Sequence, residues 1–107
     1  MQMRSYSEIL KDISRFEPAA GVWLQLDGLL NELWLAGQPP IDSLPTLFGV
    51  FERFPEDDGA GVFWSIVHGV EALPYNYEPL LRESHCRAPS EMSKVMLARL
   101  ANAPGAA

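Results

Sequence analysis

Apolar residues recur along this chain with a helical period. In "SYSEILKDISRF" they stand at Tyr6, Ile9, Leu10, Ile13 and Phe16, and Ser5 with Glu8 has the spacing of a capping box. In "GVWLQLDGLLNELWLAG", Trp23, Leu26, Leu30 and Leu33 share one face with Leu29 beside them, and Gly37 with the prolines after it ends the segment. "DSLPTLFGVFERF" offers Ser43 as a cap, Pro45 in the first turn, and Leu47, Val50, Phe51 and Phe54 pointing inward. "GVFWSIVHGVEAL", "YEPLLRESHCRA" and "PSEMSKVMLARLANA" continue the pattern. Sustained alternation is missing and β-branched residues are sparse. The pattern predicts an all-α fold of five or six short helices, one domain over residues 1–103, with a frayed tail at 104–107.

Proline placement predicts how the helices are arranged. Pro45 and Pro55 are ten apart, as are Pro79 and Pro89, with 34 residues between the two pairs. Each pair brackets a short helix expected to be followed by a longer one. That period falls in the range of stacked helix-pair repeats, so antiparallel pairs side by side, of HEAT-like character, are expected.

Within "GVFWSIVHGVEAL", three stripes separate on a helical projection. Phe63, Ile66, Val67, Val70 and Leu73 are core. Gly61, Ser65, Gly69 and Ala72 leave room for a neighbouring helix. Trp64, His68, Glu71 and Tyr75 form a mixed stripe, the one not explained by packing.

Composition narrows the class. The 107 residues suit a single core, and 48% apolar with 21% charged is ordinary for a globular chain. Apolar runs are broken by Gln25, Asp27 or His68 before they reach membrane-spanning length, and the start has no apolar core of signal-peptide length. The single cysteine, Cys86, excludes an internal disulfide and fits a reducing compartment, so a cytoplasmic location without membrane attachment is expected.

Charge is unevenly spread. The net value is −6, yet residues 16 to 81 hold ten acids and one base, Arg53. Such a middle repels phosphate backbones, which argues against direct nucleic-acid binding, and attracts a basic protein.

Catalytic and metal chemistry find little support. His68 and Glu71 share a helix face, but a structural zinc needs four ligands and a catalytic one usually three. His85 and Cys86 are adjacent on a helix and diverge by about 100°. The thiol is expected to be buried and inert. "PEDDGAG" lacks the alternating ligands and closing glutamate of a calcium loop, and its aspartates suit a helix start. No cofactor and no enzyme activity are expected.

Residues 61–103 carry a resemblance through "FWSIVHGVE", the turn "LPYNYEPLL", and "RAPSE" leading to a last helix ending "LARLANA". This stretch resembles small all-helical immunity proteins of bacterial contact-dependent growth inhibition and polymorphic toxin systems. The resemblance implies a helical-repeat fold and a role as antidote, binding a cognate toxin domain, commonly a nuclease, and blocking it. A helical-repeat adaptor for a host protein or peptide is the alternative. Family contact residues do not transfer, so the expected interface is a physical one: Glu52, Glu56, Asp57 and Asp58, with Trp64, Glu71, Tyr75, Tyr77 and Glu78 as aromatic and acidic neighbours.

Overall fold

The computed structural model describes residues 4–102; the tail expected at 104–107 lies outside them. It is all-α, with six helices: α1 (Tyr6–Arg15), α2 (Leu24–Leu35), α3 (Leu44–Arg53), α4 (Phe63–Glu71), α5 (Glu78–Arg87) and α6 (Glu91–Asn102). Among the described residues there is no strand, only an isolated bridge between Ala19 and Val22.

Local sequence sets most helix ends. Ser5 Oγ accepts from the Glu8 amide at 3.2 Å, and the Glu8 carboxylate accepts from the Ser5 amide at 3.3 Å, so two otherwise unpaired donors at the start of α1 are satisfied. Ser90 and Ser93 cap α6 in the same reciprocal way, each amide bonding the other's hydroxyl at 3.0 and 3.2 Å. At the far end of α1 the cap comes from another helix. Arg53, last residue of α3, donates to the carbonyls of Ile13 and Phe16 at 2.8 and 2.7 Å. A cation there also complements the negative end of the helix dipole.

The core contains most of the predicted stripes, though Tyr6, Leu10 and Leu73 are only half-buried, and it adds Leu81, Met92 and Met96 from α5 and α6. Ile9 and Ile13 of α1 and Leu26, Leu30 and Leu33 of α2 are fully buried, as are Phe63, Ile66, Val67 and Val70 of α4. α3 contributes Leu44, Leu47, Phe48, Val50 and Phe51 and packs against α1, α4, α5 and α6. Each such large apolar side chain stabilises by about 1.5–3 kcal/mol when fully buried. Two members of the expected small stripe receive a neighbour: Trp34 of α2 lies against Gly69 and donates its Nε1–H to Ser65 Oγ at 3.3 Å, whereas Gly61 precedes α4 in a left-handed turn and Ala72 follows it, exposed.

Several expectations are corrected. Trp23 is buried, but at the N-cap position before α2, not within the helix. Ser43 makes no side-chain cap; a 3-10 turn, Ile41–Ser43, precedes α3 and leaves Ser43 Oγ buried without a hydrogen bond among the described residues. Phe54 is only half-buried, packed against Trp23, while Phe48, not expected inward, is fully buried. The first proline-bracketed helix, α3, has 10 residues and its successor α4 has 9, so of the two proline-bracketed pairs only α5 and α6, with 10 and 12, run short then long.

Candidate protein-binding surface

Ion pairing divides the expected contact residues. Glu52 is the most committed. Its carboxylate accepts from Arg87 at 3.0 and 2.8 Å and from Ser84 Oγ at 2.7 Å, and its side chain is 16% exposed. The Arg87 hydrogen bonds hold it below the usual glutamate range, against the opposing effect of burial. Glu71 is held by Arg99 at 2.8 and 2.9 Å, and that guanidinium lies 6.0 Å from the Trp64 ring centre. Glu78 accepts from Arg82 one helical turn on, at 2.8 Å. Tyr75 closes a corner: its hydroxyl donates to the Pro39 carbonyl at 2.9 Å and accepts from Gln38 at 3.1 Å. Tyr77 is half-buried, and burial, reinforced by the charge of Glu71, raises its phenol above the usual value. Trp64, Glu71 and Tyr77 therefore gather around Arg99, while Glu52 belongs to the α3–α5 joint.

Glu56, Asp57 and Asp58 remain exposed and make no ion pair among the described residues. One oxygen of each aspartate shapes the turn, Asp57 accepting from the Gly59 amide at 2.9 Å and Asp58 from the Ala60 amide at 3.1 Å. Glu56 borders a shallow dip with His85, Pro89 and Lys94.

The α3–α4 loop that carries these acids lies against the α1–α2 loop. Trp23 joins the two, its ring centre 5.8 Å from Phe16, 5.1 Å from Phe54 and 5.2 Å from Phe63. The loops share a sequence outside the helical apolar period: Ala20-Gly21-Val22 and Ala60-Gly61-Val62, each followed by an aromatic residue, with Arg15-Phe16 and Arg53-Phe54 upstream. Both alanines adopt φ 53° and both glycines are left-handed, at 75° and 92°. A left-handed alanine costs roughly 1–2 kcal/mol relative to helical geometry, so the same turn is imposed twice by its surroundings. A depression of about 590 Å³ lies between the loops, bordered by Val22, Leu24, Asp27 and Val62. Val22 is 56% and Leu24 74% exposed. Val22, Leu24 and Asp27 were not among the residues expected at the surface; of these only Val22 falls within the Ala-Gly-Val string common to both loops.

The remaining chemistry-bearing groups are dispersed. His68 lies tilted against Trp64, its ring centre 5.8 Å away, and Glu71 turns to Arg99. His85 Nδ1 lies 2.6 Å from Ser93 Oγ, but that hydroxyl is fully buried and already engaged with Ser90, leaving no face for a substrate. Cys86 is exposed, contrary to the expected burial, because α5 turns Leu81 and Ser84 inward instead. Among the described residues no three His, Cys, Asp or Glu side chains converge, and no helix is long and apolar enough to cross a membrane. The chain was compared with protein-family models, curated proteins and solved structures, and none matches it.

Proposed function

We propose that this chain is an immunity protein that binds a toxin domain of basic surface, a nuclease in the favoured case, and blocks it by occlusion. The observation that carries the reading is the imbalance at the two-loop end. Residues 16–23 and 54–62 hold Glu17, Glu56, Asp57 and Asp58 and no base. The nearby Arg53 turns its guanidinium to the carbonyls of α1, and Glu17 is close enough to act on its charge. Elsewhere Arg4, Arg82, Arg87 and Arg99 are each paired with carboxylates of this chain. Glu56, Asp57 and Asp58, which make no ion pair among the described residues, stand at this end beside exposed aliphatic side chains.

A nuclease must present cationic side chains to hold its phosphate backbone, and a surface of opposite sign both steers the encounter and competes for that site. The test is co-purification with the polypeptide encoded immediately upstream, followed by association rates for a variant carrying Glu17→Lys, Glu56→Lys, Asp57→Asn and Asp58→Asn. The asparagines keep an acceptor for the turn amides. Association is expected to slow at least tenfold at low salt and to converge with the parent protein near 1 M, where screening is complete within a few ångströms. Equal rates at low salt in a folded variant would refute the reading. An adaptor for another protein is the outcome if the upstream product neither binds nor is neutralised.

A further inference from the structure

We infer that the cap of α6 is a proton-responsive joint. Uncharged His85 takes the hydroxyl proton of Ser93; charged His85 donates to the same oxygen and turns the Ser90 hydroxyl loose. The inference goes beyond the immunity reading and does not rest on it.

Counting hydrogen bonds at Ser93 carries it. The buried Ser93 Oγ has within reach the Ser90 amide at 3.2 Å, the Ser90 hydroxyl at 2.9 Å, the Ser90 carbonyl at 3.0 Å and His85 Nδ1 at 2.6 Å. A serine hydroxyl offers one proton and two lone pairs. The amide can only donate, so it occupies one lone pair, and the other groups share what remains. With Nδ1 bare, Ser93 gives its proton to the ring and the Ser90 hydroxyl donates into the second lone pair. The carbonyl is not stranded by this, because the Lys94 amide bonds it at 3.0 Å. With Nδ1 protonated, the ring takes that lone pair, Ser93 turns its proton to the carbonyl, and the Ser90 hydroxyl has no acceptor left in the cap. Ser90 is only 7% exposed, so the first arrangement is the one that satisfies every group. The uncharged ring is therefore the Nε2–H tautomer.

Position makes this a joint between segments. His85 lies in the last turn of α5, and Ser90 and Ser93 open α6. Beside Ser90, the Glu91 amide donates to the Pro55 carbonyl of the α3–α4 loop at 2.8 Å. Glu56 of that loop and Glu91 and Lys94 of α6 line a dip with the ring. On its own helix Arg82 is paired with Glu78, and Arg87 holds Glu52 of α3. Histidine is the side chain whose charge ordinarily changes between about pH 5 and 8. The other histidine, His68, sits on α4 against Trp64 and serves as the internal control.

The test is NMR of the isotope-labelled full chain, reading the ring nitrogens of His85 and following the Ser90 and Ser93 amides from about pH 8 to about pH 5. At the upper end the proton is expected on Nε2, with Nδ1 accepting a hydrogen bond. On acidification both amides should shift along the curve of the His85 ring, and not along that of His68. In Ser93→Ala, checked for helicity by circular dichroism, the Ser90 amide should stop following His85. A proton on Nδ1 at the upper end, a His85 that never becomes charged, amides that stay still while it does, or tracking that survives Ser93→Ala would each overturn the inference. If that variant does not fold, the measurements on the parent chain decide it.

Discussion

Replacing Gly69 with alanine should destabilise the protein although alanine is the better helix former. Gly69 sits in α4 under the indole of Trp34, and a β-carbon built on it comes within 2.6 Å of Cη2 and 2.8 Å of Cε2, closer still to Cζ2. The backbone of α4 is fixed by the buried Ile66 and Val70, so the indole must swing outward. It then gives up its bond to Ser65, worth about 1 kcal/mol, and exposes roughly 60–100 Å² of ring, worth about 2 kcal/mol at 25 cal/mol per Å². Alanine's helix preference returns about 1 kcal/mol. The net loss is about 2 kcal/mol, a drop in Tm of roughly 10 °C for a domain of this size. Gly28, in α2, is the control: a β-carbon there meets nothing within 4 Å, and its backbone is ordinary helix. Gly28→Ala should stabilise by about 1 kcal/mol. Thermal and urea unfolding followed by circular dichroism at 222 nm measures both. In a Trp34→Leu background, Gly69→Ala should lose its penalty. Gly69→Ala as stable as Gly28→Ala, or a penalty unchanged without the indole, would refute the reasoning.

Arg53→Met, which keeps the stem over Phe54 but removes the guanidinium, should cost about 2 kcal/mol in urea unfolding because the α1 carbonyls lose a charged donor. Ser43→Ala removes a buried hydroxyl without a partner and should be neutral or stabilising by about 1 kcal/mol, read as a Tm shift. Glu52 has a depressed pKa in the folded state, so the unfolded chain takes up its proton first. Its contribution is complete above about pH 4.5 and is lost as pH falls through the folded value, and Glu52→Gln should flatten stability against pH in that acidic window.

Residues close in sequence decided what local interactions decide. The six helices follow from apolar spacing, and the Ser5–Glu8 box follows from two residues one turn apart, because both depend on neighbours within four positions. The inward stripe of α4 was legible for the same reason, and so was the small stripe that accepts Trp34. The depression between the two loops was only partly legible: the repeated Ala-Gly-Val strings are plain in the sequence, but their adjacency comes from Trp23 bridging two loops. Which acids remain available was beyond local reasoning. Glu52, Glu71 and Asp58 look alike on paper, yet Arg87 and Arg99 reach the first two from 35 and 28 residues away and leave the third to solvent. Exposure of Cys86 and the stranded hydroxyl of Ser43 were settled the same way. A side chain's partners across the fold depend on how helices dock, and docking is fixed by the shapes of whole apolar faces, which no short stretch of sequence contains.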